Sequence, residues 1–191
     1  MPKIIDYPDV LCRMTEAGFR SLYHNSGAFG FAADSSPHVV GWIGADDPTI
    51  RAEAMSRAQR VPPPYEQNLS ALLVRAWQEG LPGPLWLMPA SHWSYELEFG
   101  NFDWLPAALR QLAIDPASLQ SRNNGAAIEF APHESSYAGQ FAKTLLELLH
   151  ASDFTVAFPG QPVICTLHHH KQLWWQTSDD AIAVAIRQFP A

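Results

Sequence analysis

FTVAFPGQPVICTLHHHKQLWWQ, residues 154–176, holds three of the chain's eight histidines, one of its two cysteines and two of its seven tryptophans. Residues 154–158, 163–169 and about 172–176 read as three strands, because they are rich in β-branched and aromatic side chains. In an extended segment alternate side chains share a face, so His168 and His170 point one way and His169 the other. Cys165 has the parity of Val163 and Leu167 and points away from His168 and His170, as a buried and inert thiol. Trp174 and Trp175 are adjacent and face opposite sides of their strand, so one of them is free to reach a pocket or an interface.

Upstream, residues 93–99 (WSYELEF) alternate cleanly. Trp93, Tyr95, Leu97 and Phe99 fall on one side, and Ser94, Glu96 and Glu98 on the other. That pattern predicts a strand of an antiparallel sheet with one face in the core and one open. Residues 85–88 and 126–130 read as further strands. Residues 28–32 and 38–43 read as a hairpin loosened by Gly30 and Gly41.

Helices are expected over residues 8–23, 47–60, 65–79, 103–113 and 135–151. The clearest is 65–79, where Leu69, Leu72, Leu73, Ala76 and Trp77 repeat at helical spacing. Residues 179–188 spiral as well as they alternate. Strands and helices interleave without regular βαβ spacing, which predicts an α+β fold: a mostly antiparallel sheet with one open face, packed against several amphipathic helices. At 191 residues the chain is expected to form a single domain over 1–191, with a subdivision conceivable only near the proline run 61–64. Pro62-Pro63-Pro64-Tyr65 spells a PPxY peptide, but between two amphipathic helices it reads as a rigid internal linker.

Composition excludes several function classes. The formal charge is −7 and the chain has only three lysines with no basic run, so neither nucleic acid nor an anionic membrane surface is an expected partner. No apolar run reaches the ~18–20 residues of a membrane span, and Asp6 and Asp9 interrupt the N-terminal segment; a cytoplasmic location is expected. Two cysteines far apart in sequence fit reduced thiols. No GxSxG elbow, phosphate-binding loop or GxGxxG motif is present.

The chemistry that remains lies in histidines, carboxylates and tryptophans. A His-x-His pair on a strand offers two imidazoles to one ion, here His168 and His170, and a zinc or iron site then needs a third ligand. Glu96 and Glu98 on the open face are the first candidates, followed by Glu129, His133 and Glu134. On one strand face, Glu96 and Glu98 would also lie about 7 Å apart, near the carboxylate spacing of acid–base hydrolysis. The competing reading makes His168–Lys171 a polar hairpin tip and the glutamates a solvated face.

Two functions follow as expectations. One is a cytosolic binding or interaction domain whose aromatic- and histidine-lined sheet face, with Trp174 and Trp175, holds a small molecule, a protein partner or a second copy of the chain. The other is a metal-dependent hydrolase using His168 and His170 with a nearby carboxylate.

Overall fold

A computed structural model describes residues 1–23, 29–33, 37–44, 56–63, 65–120, 124–150 and 152–190. Its strands are β1 (Lys3–Ile5), β2 (Phe19–Tyr23), β3 (Phe29–Ala33), β4 (His38–Ile43), β5 (Ala58–Arg60), β6 (Leu85–Pro89), β7 (Ala127–Phe130), β8 (Phe154–Ala157), β9 (Val163–His168) and β10 (Gln172–Thr177). The α-helices are α1 (Tyr7–Glu16), α2 (Leu69–Gly80), α3 (Trp93–Tyr95), α4 (Leu105–Gln111), α5 (Ser135–Leu148) and α6 (Asp180–Gln188). None of the described helices is long and apolar enough to cross a membrane.

Among the described residues, eight strands form one sheet in the order β1-β7-β6-β8-β9-β10-β4-β5. Every neighbouring pair is antiparallel except β4 with β5. The fold is therefore α+β around a mostly antiparallel sheet. Strands β6 and β8 are buried at every position; LWLMP is accordingly a continuous apolar run, and FTVA carries one polar residue, the buried Thr155.

One face of the sheet carries the main core. Val40, Trp42, Val163, Cys165, Leu167, Leu173 and Trp175 point into it and meet apolar residues of α2, α4, α5 and α6. The parity expected for Cys165 is the parity found. The second face is thinner. Val10 and Met14 of α1, with Phe19 and Ala33 of the β2–β3 hairpin, pack on Trp86, Met88, Ala127, Ala157 and Ile164. Further along that face Thr166, Trp174 and Gln176 remain half-buried.

Several elements depart from the sequence expectation for identifiable reasons. The first helix stops at Glu16 rather than running to residue 23, because Gly18 takes a φ of +82°, a left-handed geometry that ends helices. The residues beyond it become β2. Strand β3 then pairs with β2, and β4 pairs with β10, so the expected hairpin between them does not form. The helix expected over 47–60 lies mostly outside the described residues; its end, Ala58–Arg60, is an edge strand parallel to β4. Asn68 rather than a residue near 65 caps α2, accepting from the Ala71 N–H. Asp179 likewise caps α6, through the Ile182 N–H.

The largest departure is residues 93–99, expected as a strand. Trp93–Tyr95 is helical, and Glu96–Gly100 continues as a π-helical turn. Local capping explains it. The His92 Nδ1 accepts from the Tyr95 N–H, and the Asn124 side chain accepts from both the N–H and the hydroxyl of Ser94. The buried positions are Trp93, Glu96 and Leu97, a helical stripe, while Tyr95 and Phe99 are exposed. The alternation of large side chains was real but carried no strand.

Candidate metal centre

Four strand ends meet on one side of the sheet. The end of β6 lies beside the start of β8, with Pro89 opposite Phe154, and the end of β9 lies beside the start of β10, with His168 opposite Gln172. Antiparallel order thus gathers Ser91, Asp153 and His168–His170 into one neighbourhood. The Ala90 N–H donates to the Asp153 carbonyl at 2.9 Å, which carries the β6–β8 ladder one step further and fixes Asp153.

The β9–β10 connection is a tight turn. The Lys171 N–H donates to the His168 carbonyl at 2.9 Å, and Lys171 itself takes a φ of +59°. A turn closed by one left-handed residue is a common three-residue hairpin loop. Its consequence is chemical. Because the strand ends at His168, parity no longer separates the histidines, and the expectation that His169 points away from its neighbours fails. The three rings cluster instead, His169 stacked on His168 and His170 tilted against both. Centroids lie 4.3 Å apart for His168–His169, 4.3 Å for His169–His170 and 4.9 Å for His168–His170. One ring nitrogen from each falls within 4.8 Å of the other two.

Asp153 organises this cluster. Its Oδ1 accepts from the backbone N–H of His169 at 3.0 Å and from the same residue's Nδ1 at 2.8 Å. An ionised carboxylate only accepts, so Nδ1 is the donor, and in the neutral imidazole Nε2 is then the nitrogen with the lone pair. Carboxylates orient metal-binding histidines in this way. Asp153 Oδ2 also lies 3.9 Å from Nε2 of His168. The Nδ1 of His168 accepts from the His170 N–H at 3.2 Å, a weak bond that an ion at that nitrogen would displace. His168, His169 and Asp153 are about a quarter exposed, and His170 is more open.

The carboxylates expected as third ligands stand elsewhere. Glu96 is completely buried, not on an open face. Its side chain accepts from the Ser91 hydroxyl, from the Asn101 amide at 2.5 Å and from the Ser152 hydroxyl at 2.9 Å. The Asn101 amide also donates to Ser152 at 2.9 Å. Glu96 is thus a buried hub that ties the π-helical turn to the residue immediately before Asp153. Glu98 lies on the exposed side and accepts from Gln120 at 3.2 Å. Glu129 takes the Trp86 indole at 3.0 Å and lies 3.5 Å from Lys3 near the β1 edge. Glu134 accepts from the Ala131 N–H at 2.9 Å. Among the described residues, the convergent ligand group consists of the three histidines alone.

The two tryptophans part company. Trp175 is fully buried between Trp42 and Phe158, with ring centroids at 4.9 and 5.9 Å. Trp174 is on the opposite face. Its ring lies against Gly41, where a Cβ would come within 2.6 Å, and its indole N–H donates to Gln172 at 2.7 Å. They do not line one pocket.

Asp153 and His169 are the site residues that sequence reasoning missed. The signal was the strand register. Strands over 154–158 and 163–169 joined as a hairpin place Phe154 opposite Leu167, hence Asp153 beside His168. Comparison with known proteins adds no assignment: no family model, no curated protein and no solved structure matches the chain at a significant level.

Proposed function

We propose that this protein is a binding domain for a borderline divalent transition-metal ion, held by His168, His169 and His170 and oriented by Asp153. The observation that carries the reading is the convergence of three ring nitrogens within 4.8 Å, one of them positioned by a carboxylate. Two nitrogens bound to one zinc at ordinary bond lengths lie roughly 3.3 Å apart, so small rotations of the rings bring the set onto an ion. An all-imidazole donor set suits zinc, copper, nickel or iron and disfavours calcium and magnesium, which take oxygen ligands.

The hydrolase alternative asks for more than the ion. A three-histidine zinc keeps an open position for water, and the exposure of His170 is compatible with one. It also asks for a carboxylate base, however. Glu96 gives its oxygens to Ser91, Asn101 and Ser152, and Glu98 is bonded to Gln120. Binding is therefore the reading the geometry supports best. A reducing, cytoplasmic setting is part of it, since Cys12 and Cys165 are both free thiols.

The test is calorimetric titration of tag-free, chelator-stripped protein with zinc, copper and nickel. One ion per chain is expected. Affinity should fall at least about tenfold in Asp153→Asn and further in His169→Ala, because orienting carboxylates contribute about that much. Binding competes with protons on the imidazoles, so it weakens as the pH falls. No stoichiometric binding of any of the three ions, or equal binding by a variant with all three histidines replaced by alanine, would remove the proposal.

A further inference from the structure

Among the described residues seven large hydrophobic side chains are exposed, and three of them fall in one short stretch. Tyr95, Phe99 and Phe102 are 40, 69 and 60 % exposed. Apolar side chains scattered singly over a surface are ordinary, whereas a group of them marks a contact surface. Tyr95 and Phe99 lie side by side with ring centroids 6.3 Å apart, and the His92 ring meets Tyr95 edge-on at 6.1 Å.

The backbone holds these rings in place. Glu96–Gly100 is a π-helical turn, a widened geometry that is rare and frequent at functional sites. Its inward residues Glu96 and Leu97, and Asn101 after it, are buried, and Glu96 is fixed by Ser91, Asn101 and Ser152. Tyr95, Phe99 and Phe102 are left outside, together with the exposed carboxylates of Glu98 and Asp103. Charge along this part of the chain has one sign, because no lysine or arginine occurs between Arg75 and Arg110.

We infer that this turn is a docking surface for a segment of another polypeptide that presents apolar and basic side chains on one face. Charge complementarity selects that partner. The rings supply apolar contact, and their faces also attract lysine or arginine. Glu98 and Asp103 pair with the same cations at the rim, where charge decides which partner approaches and in what orientation. Acidic segments and anionic lipid surfaces are repelled by the same two carboxylates. A second copy of the chain is disfavoured too. Docked through this face about a two-fold axis, it would set Glu98 and Asp103 against their own counterparts.

Fluorescence anisotropy of short labelled peptides, titrated with the full chain, tests this. The probe is an amphipathic peptide of leucine and lysine. One control replaces its lysines by glutamate, the other its leucines by glycine. The probe should bind to saturation and both controls at least about tenfold more weakly. The glycine–lysine control separates this face from the overall charge of −7, which attracts any cation. Phe99→Ser combined with Phe102→Ser should weaken the probe at least about tenfold, and both side chains are exposed enough for the fold to survive their loss. Glu98→Gln with Asp103→Asn should weaken it roughly threefold to tenfold and flatten its salt dependence. Tyr137→Ser, at an exposed aromatic residue of α5, should change nothing. Equal affinity of the wild type and the double phenylalanine variant, or equal binding of probe and glycine–lysine control, would overturn the inference. So would another occupant in place of the peptide: partition into phosphatidylcholine vesicles, or a concentration-dependent dimer, lost in the phenylalanine variant.

Discussion

Cys165 has its thiol beneath the sheet, and its chemistry follows from that position. Burial pushes its pKa well above the ordinary thiol range, and a backbone hydrogen bond from Trp174 offsets only part of the shift. A raised acid pKa means that the folded chain keeps a proton which the unfolded chain releases above about pH 8.5. The folded state then binds more protons than the unfolded one, so this thiol costs stability as the pH rises through that range and contributes nothing below it. Cys12, by contrast, is exposed on α1. An aromatic disulfide reagent at pH 8 should therefore label one thiol per native chain quickly and the second only after denaturation. Rapid labelling of both would place Cys165 outside the core. Its burial was legible in the sequence, because parity within VICTL puts it with Val163 and Leu167. The histidines three residues later were not legible by the same rule, because the strand ends at His168 and a left-handed Lys171 turns the chain.

Elements read well where the pattern had one interpretation and badly where it had two. Helices α2 and α5 bury apolar residues at helical spacing over three turns or more, and no strand would place those residues together. Residues 93–99 satisfied a strand template, yet capping by His92 and Asn124 made them helical. The hidden determinant was Glu96, which a strand would have turned to water and which the π-helical turn buries. A Cβ at Gly100 would meet its carboxylate oxygen at 2.7 Å, so the turn is closed tightly over it. Glu96→Ala leaves the Ser152 hydroxyl without its carboxylate acceptor and the buried Asn101 amide with Ser152 alone, and a loss of roughly 3 kcal/mol or more is expected by urea denaturation. Glu98→Ala, on the exposed side, should cost less than about 0.5 kcal/mol. Equal costs for the two would show that Glu96 ties nothing together. Because Ser152 precedes Asp153, Glu96→Ala should also weaken metal binding in the proposed centre.

At the scale of the molecule, the interleaved strands and helices announced an α+β fold, but strand order was beyond a single sequence. The proline run at 61–64 illustrates why. It follows the edge strand β5 and precedes α2, yet Val61 within it packs in the same core as Trp42 and Leu72. Pairing of β4 with β10, more than 120 residues apart, brings the two parts of the chain into one sheet. The histidine turn joins β9 and β10 near the middle of that sheet, so an ion bound there should stabilise the whole fold. At a hundredfold excess over its dissociation constant, an ion that binds only the native state adds about 2.7 kcal/mol. Three consecutive histidines stay together in the unfolded chain as well, and any ion they hold there subtracts from that gain. Asp153 distinguishes the states, since only folding brings it 2.8 Å from His169. Zinc should therefore raise the stability of the wild type by somewhat less than the full amount, and that of Asp153→Asn by clearly less again. Denaturation in zinc and in chelator decides it: equal gains in both proteins would mean that the histidines bind as an unstructured tract and that the fold contributes no centre.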